Sequence, residues 1–144
     1  MCFSSAAFNA AVPAPVGPIP QGPYLNAAAL LSTTLSPRAL LDHLQSIERS
    51  RNRDRTTEQR WGPRTLDLDL LVFGDYAGDQ PGLTLPHTRL RERAFVLIPL
   101  AAIAPDLPIP ASPAGPRITV AEALAALRRA GGIGPDAVTL YQSP

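Results

Sequence analysis

Lysine is absent from this 144-residue chain, and all 13 basic residues are arginine. That absence excludes Schiff-base chemistry and the lysine of a phosphate-binding P-loop. Cysteine is nearly absent too. The single Cys2 excludes an internal disulfide and a cysteine-based zinc cage, which suits a reducing compartment and predicts a cytoplasmic location. No uninterrupted apolar run approaches the ~18 residues of a membrane span, so no membrane partner is expected. Charged residues are only 17% of the chain and the net charge is +1, which gives no global argument for a polyanionic partner. Dinucleotide fingerprint, Walker A motif and nucleophile elbow are all missing.

What is present is apolar enough to fold. Hydrophobic residues make up 45% of the chain, too many for intrinsic disorder, and the length predicts one domain over residues 1–144. The 17 prolines exceed the usual share of about 5% more than twofold. With the alanine and arginine enrichment, this reads as the bias of a GC-rich genome.

The first charged residue is Arg38. Residues 1–23 are rich in Ala, Pro and Ser and are expected to be irregular; lacking a basic start and broken by proline, they do not read as a signal peptide. Tyr24 to Thr34 reads as a strand. A helix follows, with Ser36 as N-cap, Pro37 at its first position, and Leu40, Leu41, Leu44 and Ile47 on one face. Arg49 to Arg64 holds six arginines against Asp54 and Glu58, lacks hydrophobic periodicity, and predicts a long, mobile, basic loop. Leu66 to Phe73 (LDLDLLVF) is the clearest strand, with Leu66, Leu68, Leu70 and Val72 on one core-facing side. Gly74 to Gly82 reads as a turn or loop and Leu83 to Leu85 as a short extended piece. Helices are expected at about 92–103 and at 120–130, the second with a Thr119/Glu122 capping box and Gly131 as its stop. A final short strand is expected at Val138 to Tyr141. Strands and helices alternate, so the class is α/β or α+β, a small sheet covered by three helices.

The sharpest chemical feature is the pair Asp67 and Asp69. Residues two apart on a strand project to the same side, so both carboxylates share one face. Side by side they repel, and a divalent cation relieves the repulsion; oxygen donors of fixed geometry suit magnesium, which takes its remaining ligands from water and phosphate. A solvated acidic edge is the plain alternative. The run R-W-G-P-R-T-L-D-L-D at 60–69 sets Arg60, Trp61 and Arg64 just before the acids, and arginine forks bind phosphate. Magnesium on one side of a phosphate chain and arginine on the other is a recipe for phosphoryl transfer. The arginine run alone also allows a solvated charge cluster or a nucleic-acid patch, although only Trp61 offers a stacking platform there. His87 precedes Arg89, Arg91 and Arg93; beside a phosphate it could donate a hydrogen bond, and otherwise it is a surface residue.

At R-W-G-P-R-T-L-D-L-D-L-L, residues 60–71, the sequence resembles hydroxymethyl-dihydropterin pyrophosphokinase, a folate-pathway enzyme family. P-V-G-P at 15–18, Q-G-P-Y-L-N-A-A at 21–28, Ile47-Glu48, L-P-H at 85–87 and R-A-F-V-L-I-P-L-A-A-I-A-P at 93–105 agree in order. The resemblance implies an α+β, ferredoxin-like fold with a small, mainly antiparallel sheet. It implies transfer of pyrophosphate from ATP to 6-hydroxymethyl-7,8-dihydropterin, releasing AMP. Asp67 and Asp69 would hold two magnesium ions, and Arg53 and Arg64 would meet the phosphates as catalytic residues. Arg55, Trp61, His87 and Arg93 would contact ATP; Val16, Tyr24, Asn26 and Phe95 would form the pterin pocket. Nucleic acid is not an expected partner, and association with other folate-pathway enzymes is compatible with the resemblance.

Some features depart from the family pattern. Its opening strand with a Gly-Ser-Asn turn and the long helix after it have no counterpart here, which predicts an N-terminally truncated, marginally stable domain. Leu30, Leu66, Leu68, Leu70 and Val72 would then lose cover. The basic loop is one residue longer than usual, with Asn52 where glycine is common, and Thr88 follows the histidine where some members have tyrosine. A truncated, non-catalytic remnant of the family is the alternative function, with an arginine-rich nucleic-acid-binding domain ranked behind it.

Overall fold

Side chains along Leu25–Leu31 alternate between water and the interior, with Leu25, Ala27, Ala29 and Leu31 outward and Ala28 buried. This strand, β2, pairs antiparallel with β1, Phe3–Asn9, in a register that sets Phe3 opposite Leu31 and Asn9 opposite Leu25. Residues 3–9 therefore form a strand where composition led us to expect irregular chain. The computed structural model describes residues 3–9, 25–51, 66–113 and 115–133. The expected basic loop beyond Arg51 and the expected strand at Val138 to Tyr141 lie outside them.

Helix α1, Pro37–Ser50, starts as its sequence predicts: the Ser36 hydroxyl accepts the Ala39 N–H at 3.2 Å, and Pro37 occupies the first turn, where no N–H is needed. Leu40 and Leu41 are buried, and Leu44 and Ile47 half-buried. A hairpin follows, β3 (Gly78–Gln80) against β4 (Leu83–Leu85). Its turn is Pro81-Gly82, with Gly82 at φ +73°, a left-handed position that costs glycine little. The expected loop at Gly74 to Gly82 thus contains a strand. Three short polar residues carry no periodicity, so only the pairing with Leu83–Leu85 defines them.

A 3-10 turn, Leu90–Glu92, leads into α2, Ala94–Ile103, so the helix expected at 92–103 starts two residues later. Helix α2 is apolar nearly all round and is covered accordingly, packing against β1, β2 and α3. Pro99 lies buried inside it without ending it. The pair β5 (Pro108–Ile109) and β6 (Ile118–Thr119) precedes α3, Val120–Arg129. Thr119 and Glu122 form the capping box, with the Thr119 N–H on the Glu122 carboxylate at 2.7 Å, and Gly131 ends the helix at φ +73°.

The class is α+β: three helices with small antiparallel sheets, each of two strands among the described residues. Leu97, Ile109 and Val120, all fully buried, centre the main core between α2, α3 and β2. A second cluster of Leu41, Leu83 and Leu85 joins α1 to the β3–β4 hairpin. No helix among the described residues is long and apolar enough to cross a membrane.

The segment 66–73 corrects the sequence reading. No described strand pairs with it. Burial alternates as expected from Leu66 to Leu70, with Asp67 and Asp69 exposed, and then the alternation stops. Leu71 and Val72 pack on the main core while Leu70 and Phe73 pack on the second cluster. The segment bridges two cores, a demand that strict period-two geometry cannot meet with one apolar face.

Candidate active site

The two cores fix where the acidic segment emerges. Leu70 to Phe73 are anchored in apolar packing, and the Leu71 carbonyl accepts the His87 N–H at 2.8 Å. That bond lays the Leu85-Pro86-His87 turn beside the segment, with Leu85 and Pro86 buried beneath it. Asp69 and His87, eighteen positions apart, become electrostatic neighbours. The backbone N–H of Leu68, between the aspartates, donates to the Glu48 carboxylate at 2.8 Å.

His87 has an altered charge balance. Burial pushes its pKa below the ordinary 6.5; Asp69 pulls it upward, whereas Arg93 and Arg89 push it down. The ring is therefore neutral at pH 7. Its Nδ1 accepts the Arg89 N–H at 3.2 Å, which puts the proton of the neutral ring on Nε2, available to donate.

The three arginines after His87 look equivalent in sequence and have different tasks. Arg89 pairs with Glu92 at 3.3 Å on the surface. Arg91 donates to the carbonyls of Pro116 at 2.6 Å and Pro110 at 3.4 Å, holding the β5–β6 connection. Arg93, just before α2, sets its guanidinium 5.7 Å from the Phe95 ring centroid, a cation–π distance. Asp69 and Arg93 both act electrostatically on His87, and Arg93 also faces the Phe95 ring.

An open groove of about 550 Å³ adjoins His87; Asp79, Gln80, Thr84 and Thr88 supply its polar lining. Its Pro81 carbonyl accepts from Arg38 of α1, and Thr84 donates to Asp79 at 2.6 Å. Asn26 is half-buried on β2, a strand packed against the α2 that carries Phe95. Arg53, Arg55, Trp61, Arg64, Val16 and Tyr24 lie outside the described residues.

Asp67 and Asp69 fit a hard divalent cation. Both are exposed carboxylates on alternate residues, and no group of three or more His, Cys, Asp or Glu gathers into a cage among the described residues. Carboxylate oxygens are the hard donors that magnesium takes alongside water and phosphate oxygens. Sequence reasoning missed Glu48 and the groove. A glutamate in the last turn of a helix resembles any surface glutamate until its burial is seen.

Comparison with known proteins identifies the family. The family model for 7,8-dihydro-6-hydroxymethylpterin-pyrophosphokinase (HPPK) matches residues 3–105, from β1 to the end of α2 and the turn after it. The 2-amino-4-hydroxy-6-hydroxymethyldihydropteridine pyrophosphokinase of Pseudomonas aeruginosa is 52% identical over 96 residues, covering 67% of this chain and 58% of that one. The protein of the same name from Haemophilus influenzae is 48% identical over 98 residues, covering 68% and 60%. That from Methylorubrum extorquens is 46% identical over 117 residues, covering 81% and 69%. The chain therefore spans about three-fifths of the length of the first two relatives. With the match covering well over half of the chain, the acidic segment included, the chain belongs to the 7,8-dihydro-6-hydroxymethylpterin-pyrophosphokinase family.

Proposed function

We propose that this chain transfers pyrophosphate from ATP to 6-hydroxymethyl-7,8-dihydropterin and releases AMP, acting on small molecules in the cytoplasm. The observation that carries the reading is the bond from the His87 N–H to the Leu71 carbonyl, which sets His87 beside the acidic segment, where Asp69 and Arg93 both act on its charge. Asp67 and Asp69 are the residues that would hold magnesium. When bound, the metal supplies charge neutralisation at the attacked β-phosphorus and at the leaving AMP.

The chain's own residues divide the remaining work. The neutral His87 donates from Nε2 to a phosphate oxygen, a role in which it neither gains nor loses charge. The Arg93 guanidinium adds a fixed positive charge to the phosphate side. Its partner Phe95 offers a flat apolar face to the pterin ring, and the Asn26 amide matches a donor and acceptor edge. The groove beside His87 has room for the rest of the nucleotide. Arg53 and Arg64 would meet the transferred phosphates, with Arg55 and Trp61 closing over them. In the reaction the hydroxymethyl oxygen bonds to the β-phosphorus, the bridge to the α-phosphate breaks, and the hydroxyl proton is released.

A non-catalytic family member is the second reading. AMP formation from ATP, with and without the hydroxymethyl pterin, separates the two. Pterin-dependent AMP is expected from the wild type, and none above background from Asp67→Ala or Asp69→Ala, with unchanged melting. Near-normal AMP from either variant at saturating magnesium would remove the metal assignment. No pterin-dependent AMP from the wild type would leave the second reading.

A further inference from the structure

Glu48 is the buried charged side chain among the described residues, 1% exposed and in the last turn of α1. Two physical effects oppose a carboxylate there. Burial penalises its charge, and the C-terminal end of a helix presents carbonyls that repel it. Packing alone does not account for such a residue, because a leucine would fill the space without either cost. Among its contacts, the carboxylate Oε1 accepts the N–H of Leu68 at 2.8 Å, the residue between Asp67 and Asp69.

No described strand pairs with residues 66–70, and the Leu68 N–H is taken by the Glu48 side chain. Beyond this point the segment is anchored by Leu70 to Phe73 in the two cores. The Glu48 bond acts within the acidic pair itself, and with the Leu68 N–H drawn inward the flanking aspartates stay exposed. The peptide after Glu48 leads directly to the arginine-rich stretch, and the Arg51 N–H closes the helix on the carbonyls of Ile47 and Glu48.

We propose that Glu48 is a positioning residue: its buried carboxylate holds the Leu68 peptide so that Asp67 and Asp69 face one metal–nucleotide site. The proposal rests on the pyrophosphokinase reading. It requires an acceptor oxygen at the right reach and does not require the negative charge.

Two variants of the full chain separate reach from charge. Glu48→Gln keeps an acceptor at the same length and loses the charge; Glu48→Asp keeps the charge and withdraws the oxygen by one methylene. Binding of manganese with a non-hydrolysable ATP analogue, followed by electron paramagnetic resonance of the metal, reads the site without turnover. Supporting residues around metal ligands typically contribute about 10–100-fold in affinity, so Glu48→Asp should fall in that range and Glu48→Gln stay within about threefold of wild type. Hydroxymethyl pterin affinity measured without metal should change in neither variant. A Gln variant as weak as the Asp variant, an Asp variant equal to wild type, or a matching loss of pterin affinity would each overturn the proposal. If the wild type itself binds no manganese–nucleotide, the pyrophosphokinase reading fails instead.

Discussion

His87 shows how position converts an ordinary side chain into a specified one. Burial and the two neighbouring arginines outweigh the pull of Asp69, so the folded protein binds the histidine proton more weakly than the unfolded chain, whose histidine titrates near 6.5. On acidification the unfolded state takes up that proton first. The contribution of neutral His87 to stability is complete above about pH 7 and is lost as the pH falls through 6.5 toward the lower folded value. Denaturant midpoints measured at pH 7.5 and 5.5 should therefore fall on acidification, and less so in His87→Asn. An equal fall in that variant would assign the slope to other groups. At this scale the Asp67/Asp69 pair was legible, because alternation alone puts both carboxylates on one side. The separate tasks of Arg89, Arg91 and Arg93 were not. Whether an arginine meets Glu92, two carbonyls or the Phe95 ring is decided by the packing of α2 and the β5–β6 connection, which local sequence does not encode.

Among the elements, those defined by local chemistry were legible and those defined by a partner were not. Helices α1 and α3 begin at caps that need only three or four residues, and both appear where Ser36 and Thr119 predict them. Replacing Thr119 with alanine removes one half of the capping box and should cost about 1 kcal/mol, read as a lower midpoint in thermal or denaturant melts. Glu122 adds a pH signature to that variant. The Thr119 backbone N–H, and then its hydroxyl, hold the Glu122 carboxyl below its usual value, so its contribution is present above about pH 4.5 and fades as the carboxylate protonates below it. Part of the difference between wild type and Thr119→Ala should thus disappear near pH 3; an unchanged difference there would exclude the ionised cap. The short β3 and the bridging segment 66–73 required tertiary knowledge instead. Gly78–Gln80 becomes a strand only because Leu83–Leu85 returns beside it, and LDLDLLVF pairs with no described strand despite the strongest strand pattern in the chain. Pro99 is the converse case, a helix breaker by propensity that the apolar surroundings of α2 retain.

For the whole molecule, the burial of β2 divides the apolar surface in a way that composition cannot show. We expected Leu30, Leu66, Leu68, Leu70 and Val72 to lose cover, yet all five are half-buried. Among the described residues the exposed large apolar side chains are Leu25 at 64%, Leu31 at 45% and Leu35 at 40%, the first two on the outward side of β2 with Ala27 and Ala29 between them. An apolar strand face in water favours self-association. Replacing Leu25 and Leu31 together by threonine introduces the β-branched preference for a strand and removes that surface. Stability should change by no more than about 0.5 kcal/mol, as for other exposed positions, while light scattering across a concentration series should show less association. Leu97→Ala supplies the contrast. That side chain is fully buried in α2 at the centre of the main core, and its loss should cost about 2–5 kcal/mol, enough to abolish cooperative melting in a marginal domain. If the double threonine variant unfolds as readily as Leu97→Ala, the outward face of β2 is an interior surface in solution, and the apolar balance of the molecule lies on the opposite side of its sheet.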